Sequence, residues 1–69
     1  MFIIVSFDKL WITLEKNNIS QYSLINDYNI SAAQLGRLKN NANVTTNTIN
    51  YLCEILNCDI SDIMEYSKE

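Results

Sequence analysis

One glycine, Gly36, and no proline in 69 residues restrict this chain more than any other feature of its sequence. All-β and loop-rich folds need turn residues at short intervals, and this chain lacks them. It is rich instead in Asn, Ser and Thr, which cap short helices and close tight corners. Hydrophobic residues at 48% and charged residues at 19% give a globular rather than a disordered composition. The length allows one domain, residues 1–69, near the lower limit for a self-sufficient apolar core. The expected fold class is all-α.

Phe2 to Val5 is a β-branched, aromatic run too brief for a helix and reads as a strand. A lone strand needs a partner: either the segment Met64-Glu65-Tyr66-Ser67 or the same strand of a second subunit. Phe7, Leu10, Trp11 and Leu14 then recur at helical spacing to about Lys16, with Asp8 in the first turn, where a negative charge suits the helix dipole. Asn17-Asn18 closes that helix. Ser20 is an N-cap for a helix from roughly Gln21 to Tyr28 that carries Leu24, Ile25 and Tyr28 on one side. Asn29 stands where a left-handed residue would end it, and Ser31 caps a third helix running through Leu35 and Leu38 to about Asn40. So short a corner makes two helices cross steeply. After the polar loop Asn40-Asn41-Ala42-Asn43, Thr45 or Thr46 opens a fourth helix with Ile49, Leu52, Cys53 and Leu56 as its apolar stripe. Ser61 is expected to cap a last turn containing Ile63 and Met64.

Several classes are disfavoured. No apolar run approaches the roughly 20 residues needed to span a bilayer, and the N-terminus has neither a basic leader nor a small-residue cleavage site. Two cysteines, Cys53 and Cys58, are too few to staple a secreted mini-protein, so they read as reduced packing residues of a cytoplasmic protein. With no histidine, a zinc site would need carboxylates as half its ligands. No metal or cofactor is expected. Without His, a Gly-rich phosphate loop or a nucleophile motif, acid–base work would fall to scattered carboxylates, and catalysis is not expected. Asp59 and Asp62 are explained by capping at a helix start. Phe7 and Trp11, four apart, have core spacing. Tyr22, Tyr51 and Tyr66 share no spacing that would build a base-stacking platform, and are expected to be at least partly buried.

The net charge of −3 runs against nucleic-acid binding, which favours a basic surface. Its distribution does not. From Tyr28 through Cys53 there is no acidic residue, and Arg37 and Lys39 lie within that stretch, while Glu54, Asp59, Asp62, Glu65 and Glu69 follow it. One end of the molecule is therefore expected to be locally positive and the other negative.

Three segments carry a family resemblance: Ser20-Gln21-Tyr22-Ser23-Leu24, Asn29-Ile30-Ser31 and Leu35-Gly36-Arg37-Leu38-Lys39-Asn40. In this order they resemble the Cro and Xre-like helix-turn-helix regulators. The run from Thr45 to Tyr66 is similar to the closing half of small single-domain members, so the resemblance spans roughly Phe2 to Tyr66. It implies a five-helix, lambda-repressor-like helix-turn-helix domain, with a short N-terminal strand that pairs with the C-terminal segment or with a second subunit. Three positions depart from the pattern. Ile25 replaces a small Ala, Asn29 replaces the corner Gly, and Gly36 stands inside the third helix, at a cost of about 1 kcal/mol relative to Ala.

The resemblance also implies a function: a sequence-specific, repressor-like regulator that binds double-stranded DNA as a homodimer and reads the major groove with the helix around residues 32–40. It places Ala32, Ala33 and Arg37 toward the groove, with Ser31 and Gln34 flanking them. The Arg37 fork suits guanine O6 and N7, and the two alanines suit thymine methyls or close approach. Gln21 and Asn40 match phosphate-holding places, and Lys39 adds a screened phosphate contact. The competing reading is a protein-interaction module on the same scaffold: an antitoxin, an antirepressor or an inhibitor from a mobile element. The acidic C-terminal half and the total of 5 basic residues speak for it.

Overall fold

The computed structural model describes residues 3–68. Phe2, the first residue of the expected strand, and Glu69, one of the trailing acids, lie outside the described residues. In chain order the elements are β1 (Ile3–Ser6), α1 (Asp8–Lys16), α2 (Gln21–Asn26), α3 (Ala32–Lys39), α4 (Thr46–Leu56), a 3₁₀ turn (Ile60–Asp62) and β2 (Glu65–Lys68). The fifth helical element of the expected plan is therefore that one 3₁₀ turn.

Local chemistry accounts for the helix ends. Ser20, Ser31 and Thr45 are all extended N-caps whose hydroxyls accept from the backbone N–H groups of Ser23, Gln34 and Thr48. Asn18, Asn29, Asn41 and Asn57 all have positive φ, between 49° and 59°. Asn supplies at these corners the left-handed conformation that Gly usually supplies. The chain's one glycine is not used this way: Gly36 lies mid-α3, and no glycine has positive φ.

α2 stops at Asn26, two residues before the expected end. There the Tyr28 N–H reaches back to the Ser23 carbonyl and the Ile30 N–H to that of Leu24 (2.9 Å), so the wrapped corner absorbs Asp27 and Tyr28. The expected Ser61 cap is also corrected. The last turn starts from Asp59, whose N–H donates to the Asp62 carboxylate at 3.2 Å; Ser61 lies inside the turn, and Ile63 and Met64 follow it. The Ile63 and Met64 N–H groups, which a Ser61 cap would need, both donate to the Ile60 carbonyl.

One core joins the elements. Phe7, Leu10 and Leu14 from the α1 segment meet Leu24, Ile30, Leu35 and Leu38 from the helix pair, and Ile49, Leu52, Leu56 and Ile63 from the closing half. Leu10, Leu24, Leu38, Leu52 and Ile63 are fully buried, each contributing about 1.5–3 kcal/mol of transfer free energy. Trp11 packs against this cluster from its margin.

β1 pairs antiparallel with β2 of the same chain, with Val5 opposite Tyr66 and Ser6 opposite Glu65. Of the two partners considered for the strand, the C-terminal segment is the one found. Long-range polar bonds fasten the rest. The Asn41 side chain accepts from the Phe7 N–H (2.9 Å), capping α1 from 34 residues away. The Thr13 hydroxyl donates to the Asp62 carbonyl (2.7 Å).

Candidate nucleic-acid interface

α2 and α3 are consecutive helices joined by a tight corner that turns on left-handed Asn29. α3 turns Leu35 and Leu38 into the core, so its periodicity sends Ala32, Ala33, Arg37 and Asn40 outward. All four are exposed, as are Lys39, Ser31 and Gln21; Gln34 is half-buried. The structure thus brings seven of the expected site residues to one helix and its two caps. Gln21 opens the neighbouring α2.

Two of these residues already hold backbone. Ser31 Oγ accepts from the Gln34 N–H at 3.1 Å, and Asn40 Nδ2 donates to the Gly36 carbonyl at 3.0 Å. Each therefore stabilises an end of α3, and a phosphate would be met by what remains: the second amide proton of Asn40 and the Ser31 hydroxyl. No side chain crowds Gly36, where an added Cβ would find nothing within 4 Å. The glycine is not needed for packing, and α3 runs through it unbroken.

The electrostatics differ between helices. α1 carries Asp8 in its first turn, whereas α2, α3 and α4 begin with no acidic residue and with neutral Ser or Thr caps. Their positive dipole ends are left uncompensated, as suits a polyanionic partner. Arg37 and Lys39 add two full charges to the last turn of α3. Glu65 at the sheet meets Lys9, at 3.7 Å, an exposed pair worth little energy.

Sequence reasoning missed the contribution of α4. A shallow hollow at the start of α3 is lined by Asn29, Ile30, Ser31, Gln34, Asn47, Thr48 and Tyr51. Thr48 Oγ1 donates to Gln34 Oε1 at 3.3 Å, and Tyr51 Oη donates to the Tyr28 carbonyl at 2.7 Å. α4 thus holds both the corner and the start of the exposed helix. The signal is the uncharged, hydroxyl-rich run Thr45-Thr46-Asn47-Thr48, of which the helix start uses only the first residue. The expected burial of the tyrosines is corrected as well. Tyr22 and Tyr66 are well exposed and Tyr51 is marginally so, since Tyr22 leaves the outer side of α2 and Tyr66 sits in a two-stranded sheet.

A helix-turn-helix DNA-binding domain is the class that this tightly joined pair and its exposed, acid-free second helix define. The sequence model of the Cro/C1-type helix-turn-helix DNA-binding domain matches residues 9–69, and the chain belongs to that family. Among solved structures it is similar to the transcriptional regulator VanUg (crystal form II), with 32% identity, a TM-score of 0.88, and coverage of 100% of this chain and 92% of that one. Among curated proteins there is no match. The protein is accordingly a DNA-binding regulator of the Cro/C1 type. No helix among the described residues is long and apolar enough to cross a membrane.

Proposed function

We propose that this chain, residues 1–69 as one domain, is a cytoplasmic, repressor-type transcriptional regulator that reads double-stranded DNA in a sequence-specific way. The observation that carries this reading is the outer face of α3, where Ala32, Ala33, Arg37, Lys39 and Asn40 are all exposed and no acid intervenes. Small side chains at the start of a reading helix let its backbone approach the groove, and Arg37 offers a bidentate fork to guanine. Gln21, Ser31, Asn40 and Lys39 would hold phosphates on either side and set the register.

The reading includes a homodimer, since one small module buries little surface and a two-fold pair gains affinity from two half-sites. Exposed Val5 and Ile60, which line a groove of about 480 Å³ together with Ile49, Cys53 and Met64, support a self-association surface. Sedimentation velocity of wild type and Ile60→Glu tests this. An unchanged dimer in the variant would remove Ile60 from the interface, and a monomeric wild type would remove the dimer.

The deciding experiment is fluorescence anisotropy with a labelled duplex spanning the protein's own promoter, at low and physiological salt. Steeply salt-dependent binding that Arg37→Ala weakens by about 1–3 kcal/mol, with relaxed preference at one base pair, is the expected result. Lys39→Ala should weaken all sequences alike and lower the salt slope by about one. No binding at low salt would overturn the reading and favour a protein partner.

A further inference from the structure

We infer that Thr48 of α4 is a positioning residue for Gln34, fixing its amide so that Gln34 meets DNA as a hydrogen-bond donor. This rests on the DNA-reading role proposed above and adds a specificity determinant outside the helix-turn-helix pair.

Thr45 Oγ1 accepts from the Thr48 N–H at 3.2 Å and lies 3.1 Å from Thr48 Oγ1. Each hydroxyl has one proton. That of Thr48 is used on Gln34 Oε1, so the proton between the two hydroxyls comes from Thr45. The resulting chain, Thr45 to Thr48 to Gln34, runs in one direction and ends on the Gln34 amide oxygen. Among the described residues nothing accepts from Gln34 Nε2, and the side chain stands half-buried in the open hollow beside exposed Ser31. The NH₂ group is left for a ligand.

A free glutamine pairs with adenine through both ends of its amide. Thr48 occupies one of the two Oε1 lone pairs and holds the amide plane, while both Nε2 protons stay free, which biases Gln34 toward partners that accept: a phosphate oxygen, guanine O6 or N7, or thymine O4. The same donor chemistry serves backbone and base.

The test selects duplexes from a random pool with the wild-type protein. It then measures affinities of Gln34→Ala, Gln34→Glu, Thr48→Val, Thr48→Ser and the double variant Gln34→Ala/Thr48→Val on the selected site, with melting curves to confirm folding. Gln34→Ala and Thr48→Val are each expected to weaken binding about three- to tenfold, the range of one hydrogen bond. The double variant should be no weaker than Gln34→Ala, and Thr48→Ser should restore wild-type affinity. Gln34→Glu, which keeps an acceptor and loses the donor, should bind at least as weakly as Gln34→Ala. A methylphosphonate at one position that abolishes the difference assigns the acceptor to the backbone; a difference confined to one base pair assigns it to a base. Additive losses, or Gln34→Glu binding like wild type, would overturn the inference while leaving the reading of α3 intact. A wild-type protein that retains no duplex would overturn both.

Discussion

α3 and α4 begin alike and are then built for opposite purposes. Each opens on an extended Ser or Thr whose hydroxyl accepts from the N–H three residues on, at 3.1 Å for Ser31 and 3.2 Å for Thr45. α4 then runs for 11 residues, buries Ile49, Leu52 and Leu56, and closes on left-handed Asn57. α3 has 8 residues, buries only Leu35 and Leu38, and carries the chain's one glycine. α4 supplies three core residues and a footing for its neighbour; α3 supplies two and turns Ala32, Ala33, Arg37 and Lys39 to solvent. The lesson is that the exposed helix is held from outside, by the Thr48–Gln34 bond and by the Tyr51 tie to its corner.

The strongest way to break this contrast is to remove the footing. Leu52 is fully buried at the centre of α4, and Leu52→Ala should cost about 2–5 kcal/mol of stability. Small domains hold only about 5 kcal/mol or a little more, so chemical denaturation should show a large part of the variant unfolded. Arg37→Ala, on exposed α3 surface, should by contrast shift stability by less than about 0.5 kcal/mol. Equal losses would erase the division of labour.

A smaller effect separates the two duties of Ser31. Ser31→Ala removes the cap and should cost about 1 kcal/mol of stability. Ser31→Asp keeps a capping oxygen and suits the dipole, so its melting temperature should stay near wild type. Its new charge faces the proposed phosphate side, and its DNA affinity should fall. A variant that keeps both would show that the start of α3 is not near the backbone of DNA.

What was legible beforehand follows the range of the interaction. The Ser20, Ser31 and Thr45 caps and the left-handed Asn29 are set by neighbours within a few residues, and the apolar stripes by period alone. The partner of β1 was open between two candidates, because 4-residue strands pair on contacts at opposite ends of the chain. The Asn41 cap on Phe7 spans 34 residues and the Thr48–Gln34 bond spans 14, and no pattern in the chain marks either. Tyr22 and Tyr66 misled for a related reason: aromatic content signals burial only when the helix or sheet face they occupy is covered. The outward placement of Ala32, Ala33, Arg37 and Asn40 agrees with the family resemblance; the support of α3 from α4 was not legible.

Gly36 sharpens the comparison in the opposite direction. It has ordinary helical φ and free space where a Cβ would go. Gly36→Ala should therefore stabilise the fold by about 0.5–1 kcal/mol, roughly 2–8 °C in melting temperature for a domain of this size. If the glycine is kept for close approach to DNA, the stabilised variant will bind its site more weakly. If affinity rises with stability, α3 is limited only by its own helicity.

The smallest effect lies at the far end of α4, where Cys53 and Cys58 flank the Asn57 corner and the Cys58 N–H donates to the Cys53 carbonyl at 3.1 Å. Burial raises the Cys58 thiol above its ordinary value of 9.0, helped by the nearby Cys53 sulfur and by the Asp62 and Asp59 carboxylates. Folded Cys58 therefore keeps its proton at a pH where the unfolded chain has lost it. The stability this supplies is complete below about pH 9.0 and is lost as the pH climbs past that value, because the unfolded state then binds fewer protons than the native one. Melting temperatures of wild type should thus fall between neutral pH and the alkaline range, and Cys58→Ser should flatten that slope without steepening it elsewhere. The readout also tests the contrast between the helices. The slope belongs to the footing of the molecule, so at moderate alkalinity, while the fold holds, DNA affinity through α3 should not follow it.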